Sequence, residues 1–95
     1  MGMTYTLHYH EDVVRKDIPA LSKEWQKRVR RAIEERLASR PELYGKPLRR
    51  SLRGYRKFRV SDYRVIFRIE GSRVKIFIIQ HRSRVYDEAR KRLSQ

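Results

Sequence analysis

The sequence predicts an α+β fold in which two N-terminal helices pack on one face of a four-stranded, mainly antiparallel sheet. The chain has only 95 residues, strand-like alternation occurs near its start and throughout its second half, and helical spacing fills the region between. The predicted order is β-α-α-β-β-β with a short C-terminal helix, and such segregation of helices from strands is typical of α+β domains. We expect one domain over residues 1–95, because a chain of this length buries one compact core.

The first half of the chain predicts a strand and two helices. Residues 4–10, TYTLHYH, alternate apolar and polar side chains and predict the first strand. Residues 12–18 carry apolar side chains at helical spacing and precede Pro19, which predicts a short helix that ends there. A second helix is predicted from Ser22, a favourable N-cap residue, to about Ser39.

The second half predicts a loop and then three strands. The loop contains two prolines and a glycine, and the strands are predicted at residues 55–60, 63–70 and 73–80 with two-residue turns between them. Turns of that length leave no room for a crossover helix, so the three strands should form an antiparallel meander. Apolar residues then recur every four positions from Val85 to Leu93, which fits either a short final helix or a flexible end. The second face of the sheet is expected to stay open for a ligand.

The composition excludes several kinds of protein. No cysteine is present, which rules out disulfides and thiolate metal sites. No apolar run approaches the roughly 20 residues of a membrane-spanning helix, and the N-terminus lacks the apolar segment of a signal peptide. We therefore expect a cytoplasmic protein. His8 and His10 share a strand face without a third ligand at suitable spacing, so neither a metal nor a cofactor is expected.

The charge favours a polyanionic partner. The chain has 25 Lys and Arg against 11 Asp and Glu, a formal net charge of +14. Nucleic acid and an acidic protein both remain open as that partner. A membrane surface is disfavoured because the charge is spread over strands as well as helices.

The cations are concentrated in the predicted sheet. Strand parity places Lys57 and Arg59 on one face of the first meander strand and Arg64 on the same face of the next, opposite the apolar side chains that meet the helices. Arg82 and Tyr86 follow the third strand and are predicted to reach the same place. Guanidinium, ammonium and phenol groups together suit a phosphate. From spacing alone, a catalytic pocket and a surface that only binds nucleic acid remain alternatives.

Two stretches, DYRVIFRI at residues 62–69 and HRSRVY at residues 81–86, resemble motifs of the RelE/ParE superfamily of bacterial toxins. The resemblance extends over nearly the whole chain and is greatest to the RelE-like branch. It implies a RelE-like fold and a metal-independent, ribosome-dependent endoribonuclease, an mRNA interferase that cuts mRNA in the A site of the 70S ribosome. It also implies a cognate acidic antitoxin, with a heterotetrameric complex among the possible arrangements.

The resemblance assigns catalytic roles to five residues. Arg59 and Arg64 are assigned to the negative charge on phosphorus, although some members have Lys at the position of Arg59. Tyr86 is assigned to the 2′-hydroxyl as base or orienter, or to stacking on the nucleobase, with Lys57 as the alternative base. Arg82 is assigned to the leaving oxygen, which it would stabilise as a cation.

Further residues and two other functions complete these expectations. His81 is a secondary catalytic candidate, because an imidazole suits acid–base chemistry, although strand parity places it beside Arg82 rather than with it. Other cations are predicted to bind RNA: Arg53, Arg56, Arg68 and Lys75. The ParE-like branch, which has the same fold but inhibits DNA gyrase, is one alternative. A catalytically inactive homologue that binds nucleic acid is the other.

Overall fold

The computed structural model describes residues 4–93 of the chain, so the ends of the predicted domain, residues 1–3 and 94–95, lie outside the described residues. Its strands are Thr6–Tyr9 (β1), Lys46–Pro47 (β2), Arg56–Val60 (β3), Tyr63–Glu70 (β4) and Arg73–His81 (β5). They form one sheet in the order β1-β5-β4-β3-β2. β1 is parallel to β5 and the other neighbours are antiparallel. The predicted architecture is confirmed, with a fifth strand, β2, inside the predicted loop.

Helical segments account for most of the remaining chain. They are a π-helical turn at Val13–Asp17, helix α1 at Lys23–Ala32 continuing into a π-helical turn at Ile33–Leu37, α2 at Pro41–Tyr44, a 3₁₀ turn at Arg50–Leu52, and α3 at Val85–Leu93. Ser22 caps α1 as predicted, because its Oγ accepts a hydrogen bond from the backbone N–H of Trp25 at 3.3 Å. None of the helices in the described part of the chain could span a lipid bilayer.

One face of the sheet, called here the α1 face, packs against α1 and the two π-helical turns. The apolar side of β4 lies there as predicted, with Val65 and Phe67 fully buried. Gly45, just before β2, lies directly against the Phe67 ring, and a Cβ at that position would overlap the ring. Glycine therefore lets the chain pass close to the core. The buried residues of this core are Val13, Val29, Ile33, Leu37, Phe58, Val65, Phe67, Val74, Ile76 and Ile79.

The opposite face, called the α3 face, has its own core. The expectation that this face stays open is wrong for its centre, because α3 packs across it. The four-residue spacing in the tail forms the apolar stripe of a helix, which settles the tail as a helix rather than a flexible end. The buried residues of this second core are Leu52, Ile66, Ile78, Val85 and Ala89.

A β-bulge at Phe77 decides which residues of β5 serve each core. Ile66 pairs with Ile78, but the next residue of β4, Phe67, pairs with Ile76, so β5 contains one extra residue. In a regular strand Ile76 and Ile78 would share a face. The bulge places Ile76 in the core of the α1 face and Ile78 in the core of the α3 face.

Candidate functional site

A hydrogen bond joins Lys57 to Tyr86 at the margin of the α3 face. Lys57 Nζ donates to Tyr86 Oη at 2.5 Å and lies 5.3 Å from the centre of the Tyr86 ring. Lys57 comes from β3, whereas Tyr86 lies in the first turn of α3, 29 positions later. Tyr86 is 37% exposed, so a ligand can reach the pair. The structure therefore brings together two of the predicted catalytic residues.

Arg59 and Arg64 stand beside this pair. They are direct partners in the ladder between β3 and β4, and side chains opposite one another in such a ladder have Cβ atoms about 5 Å apart. Like charges in that arrangement repel each other unless an anion lies between them. We call Lys57, Arg59, Arg64 and Tyr86 the cationic cluster. Its composition and position favour an anionic ligand.

The turn before β4 orients Arg64. Nη1 of Arg64 donates to the backbone carbonyls of Ser61 at 2.8 Å and of Tyr63 at 2.9 Å. Ser61 has a φ of 54°, in the left-handed region that a residue with a Cβ seldom adopts. The tight turn thus supplies carbonyl acceptors that hold the guanidinium in one orientation.

Arg82 lies at the same end of the sheet, in the turn after β5. Its backbone N–H donates to the carbonyl of Asp62 at 2.8 Å, and its Nε lies 3.8 Å from Asp62 Oδ1, with both side chains 64% exposed. Within residues 4–93 its ion-pair partner is Asp62, and no hydrogen bond connects it to the cationic cluster. An exposed pair at that distance is weak, so the Arg82 side chain is available to a ligand.

His81 points to the other side of the sheet. It pairs with Tyr63 across β4 and β5, and the two rings meet edge to face at 5.7 Å. Tyr63 in turn packs on Trp25 of α1, which places both rings on the α1 face. The His81 Nδ1 accepts the N–H of Ser83 at 3.2 Å. The structure therefore separates this secondary candidate from the cationic cluster.

Arg53 and Arg56, both predicted to bind RNA, have different surroundings. Arg53 is exposed in the turn before β3. Arg56 pairs with Phe67 and so lies on the α1 face, where its Nη1 donates to the carbonyl of Gly45 at 3.0 Å. Arg53 is open to a ligand, whereas Arg56 supports the chain beside β2.

Arg68 and Lys75 lie at the far end of the α3 face and share an acidic partner. Arg68 donates a hydrogen bond to Glu70. Its Cζ also lies over two aromatic rings, 5.2 Å from the centre of the Tyr55 ring and 5.3 Å from that of Phe77. Lys75 Nζ lies 3.8 Å from Glu70 Oε1. The hydrogen bond from Arg68 holds the pKa of the Glu70 carboxyl below its usual range. These two cations are therefore already paired within the protein.

The two acids in the first turn of α3, next to Tyr86, are paired within that helix. Asp87 binds Arg90 at 2.6 Å and Glu88 binds Arg92 at 2.9 Å, both within α3. The potential at the cationic cluster is therefore positive. Among residues 4–93, no group of three or more His, Cys, Asp or Glu side chains is placed to hold a metal ion.

Sequence reasoning missed Gln80, which adjoins the cationic cluster, and Asp17, which Gln80 contacts. Gln80 is the partner of Arg64 across β4 and β5, and its side chain donates to Asp17 at 2.9 Å. Asp17 is buried. The signal for Asp17 in the sequence was weak, because it is one acid in a short segment whose apolar residues have helical spacing.

Comparisons with known proteins identify the family. Residues 8–86 match the family model described as the ParE toxin of type II toxin-antitoxin system, parDE. The chain belongs to the RelE/ParE superfamily of toxins. Both the superfamily and the RelE-like fold inferred from the sequence motifs are thereby confirmed. No curated protein sequence is significantly similar to the chain.

Several solved structures resemble this toxin. The RelBE2 toxin-antitoxin complex of Mycobacterium tuberculosis contains a chain that is 30% identical, with a TM-score of 0.79 over 85% of this chain and 94% of that chain. An E. coli RelE mutant bound to a peptide of the antitoxin RelBc is 25% identical, with a TM-score of 0.64 over 95% and 98% of the two chains. A chain of the RelB–RelE complex of Methanococcus jannaschii is 22% identical, with a TM-score of 0.65 over 85% and 96%, and this likeness shows the fold alone.

Proposed function

We propose that this toxin is a cytoplasmic mRNA interferase of the RelE-like branch, with residues 1–95 as one toxin domain. It cleaves mRNA in the A site of the 70S ribosome by attack of the 2′-hydroxyl, without a metal. The observation that carries the proposal is the 2.5 Å hydrogen bond between Lys57 and Tyr86 beside the paired Arg59 and Arg64. A surface that only held a nucleic-acid backbone would need the cations but not a phenol bound to an ammonium group.

RNA supplies its own nucleophile, which simplifies what the protein must do. A base must take the proton of the 2′-hydroxyl, the extra negative charge on the phosphate must be stabilised, and the departing 5′-oxygen must be neutralised. The cationic cluster contains groups suited to the first two tasks. Arg82 lies nearby for the third.

Arg59 and Arg64 stabilise the charge on the phosphate. A planar guanidinium presents a fork of donors that matches phosphate oxygens, and one donor aimed at a developing charge contributes about 3 kcal/mol to lowering a barrier. Arg64 is already oriented by the carbonyls of Ser61 and Tyr63. Little reorganisation is then needed when the phosphate arrives.

Tyr86 and Lys57 act on the 2′-hydroxyl. Lys57 Nζ donates to Tyr86 Oη, which fixes the position of the phenol oxygen beside the bound RNA. Tyr86 then acts as base or orienter, and Lys57 in its neutral form is the alternative base.

Arg82 stabilises the departing 5′-oxygen as a cation. A guanidinium does not readily release a proton, so this group compensates charge rather than acting as an acid. A site without a strong general acid depends on alignment of the phosphate for its rate. We therefore propose that the ribosome positions the mRNA, and we expect naked RNA to be cut slowly.

A cognate acidic antitoxin is the second part of the proposal. The net charge of +14 and the antitoxins bound to the M. tuberculosis and E. coli toxins support it. A groove of about 560 Å³ on the helical side also supports it. Val14 and Leu21 line it with apolar surface. Its charged lining has three cations, Lys23, Lys27 and Arg30, and one acid, Glu34, so its net charge is positive. An amphipathic segment with acidic flanks complements such a groove, and a heterotetramer is one stoichiometry it permits.

The test adds the purified toxin to a translating bacterial extract and maps the mRNA ends. We expect cleavage by the wild type and a loss of about 10²-fold or more for Arg64→Ala and Tyr86→Phe. Arg73→Ala removes an exposed cation from the other end of the sheet, and Tyr44→Phe removes a phenol of similar exposure. Both controls should cleave like the wild type.

The family model's description as a ParE toxin favours a second candidate function, inhibition of DNA gyrase. A supercoiling assay with the same preparations separates the two. Arrested supercoiling with intact mRNA would replace the nuclease by the gyrase inhibitor. If neither process changes, a catalytically inactive nucleic-acid-binding protein is the remaining function.

A further inference from the structure

Asp17 forms a buried ion pair with Arg92. Arg92 Nη1 donates to Asp17 Oδ2 at 2.9 Å and Nη2 donates to Oδ1 at 2.7 Å. The backbone N–H of Ile79 and the side-chain amide of Gln80 also donate to the carboxylate, each at 2.9 Å. The Asp17 side chain is fully buried and that of Arg92 is 12% exposed. Four donors thus satisfy one enclosed carboxylate.

The end of β1 explains why an acid is needed at this position. β1 pairs with β5 only as far as Ile76, where the N–H of His10 makes the last contact. Beyond that point β4 still pairs with one edge of β5, but no strand lies along the other edge, where buried N–H groups still require acceptors. Asp17, at the end of the first π-helical turn, supplies an acceptor for Ile79.

Arg92 reaches this carboxylate from the other face of the sheet. It lies near the end of α3, where it also donates to Glu88 at 2.9 Å. The hydrogen bonds that Arg92 donates to Asp17 raise the pKa of the Arg92 guanidinium. Because Asp17 belongs to the helical layer and Arg92 to α3, the pair connects the two faces around the edge of β5, across 75 positions of sequence.

The ion pair is connected to the cationic cluster by two routes. Tyr86 is the second residue of α3, so the placement of this helix decides where the Tyr86 hydroxyl lies relative to Lys57. The second route runs through Gln80, which pairs with Arg64 in the sheet and whose side-chain amide donates to Asp17. Tyr86, through α3, and Arg64, through Gln80, are therefore both linked to Asp17.

We propose that Asp17 and Arg92 are positioning residues, whose bidentate ion pair holds α3 where Tyr86 meets Lys57. Apolar packing alone tolerates small slides of a helix, because it has no preferred direction. A guanidinium–carboxylate fork has a specific geometry and removes that freedom. The catalytic consequence rests on the proposed nuclease function, but the placement of Tyr86 does not.

The test compares Arg92→Lys, which keeps the charge but cannot form the fork, with Arg92→Gln. Lys91→Gln is the control, because it removes one charge from the adjacent, exposed position of the same helix. We expect both Arg92 variants to lower the kcat of cleavage about tenfold or more while KM stays within about twofold. The control should match the wild type.

A structural measurement accompanies the kinetics. The nuclear Overhauser contact between the Lys57 side chain and the Tyr86 ring should weaken in both Arg92 variants and persist in Lys91→Gln. Amide exchange in β4 shows whether a variant is folded, and Arg92→Lys provides a mild change should Arg92→Gln fail to fold. Retention of the Lys57–Tyr86 contact in folded Arg92→Lys would overturn the proposal.

The two readouts separate the failure of this inference from failure of the proposed function. If the wild type does not cleave mRNA, the nuclease function fails, and the Lys57–Tyr86 contact still tests the positioning role. If the wild type cleaves and folded Arg92→Lys cleaves equally fast, the positioning role is wrong while the nuclease function stands.

Discussion

The α1 face of the sheet is covered by helical segments, whereas on the α3 face only the centre is buried, beneath the apolar side of α3. Both ends of the α3 face carry charge: the cationic cluster at one, and Arg68 with Glu70 at the other. The cluster lies where apolar packing stops, so its side chains are anchored on one side and open to a ligand on the other. A small basic protein thus obtains its stability mainly from one face and its candidate site from the margin of the other.

The largest expected effect comes from truncating the core of the α1 face. Ile76 is fully buried there, and Ile76→Ala should lower the free energy of unfolding by about 3 kcal/mol, since it removes apolar contacts and leaves a cavity. Urea denaturation followed by circular dichroism measures this change. We expect amide protection to fall in all strands together.

Ile78 offers a matched comparison, because it is the same residue type, equally buried, two positions away and on the other face. Ile78→Ala should cost about 2 kcal/mol, because α3 can settle into the space. Hydrogen exchange should increase first in α3. Equal costs for the two variants, with α3 protected as before, would refute the distinction between the faces.

The second prediction concerns the cationic cluster itself. Lys57→Met and Tyr86→Phe should each change stability by less than about 1 kcal/mol and each lower cleavage by about 10²-fold. The double variant should lose no more than the worse single variant, because the two groups act as one unit. Single-turnover cleavage on programmed ribosomes gives these values. Losses that simply add would indicate independent roles.

The third prediction concerns acid stability at the other end of the α3 face. The hydrogen bond from Arg68 lowers the pKa of Glu70 from its ordinary value of 4.5, so this carboxylate stabilises the fold above that pH. The contribution disappears as the pH falls through the lowered pKa. Glu70→Gln should therefore remove part of the loss of stability below about pH 4.5, as measured by urea midpoints across the acid range. Glu24→Gln, in an exposed pair with Arg28, is the control.

The smallest effect is expected at Tyr9. Its hydroxyl is buried and has no hydrogen-bond partner within residues 4–93, and burial raises its pKa. Tyr9→Phe should stabilise the protein by about 1 kcal/mol, because it removes an unsatisfied polar group. Because the pKa of Tyr9 is raised in the folded state, its contribution to the free energy of unfolding is fully present below about pH 10. That contribution is lost as the pH rises through the folded-state pKa of Tyr9. Thermal unfolding at neutral and alkaline pH tests both points, and Tyr44→Phe should show neither effect.

The sequence by itself determined the features that depend on local geometry. Side chains alternate along a strand because of the backbone, so the apolar side of β4 and the shared face of Lys57, Arg59 and Arg64 followed from spacing alone. The N-cap at Ser22 and the helical stripe of α3 are equally local. The motifs at residues 62–69 and 81–86 were sufficient to indicate the superfamily.

Only the tertiary structure decided features that join distant parts of the chain. The bulge at Phe77 reverses the parity of β5, and the covering of Ile66 by α3 depends on which surfaces meet. The ion pair of Asp17 with Arg92 exists because β1 ends early and leaves an N–H of β5 without a strand partner. The periodicity of the sequence shows which side of a helix or strand is apolar, but only tertiary packing decides which surface that side contacts. Here the packing of α3 on the sheet brings Tyr86 against Lys57.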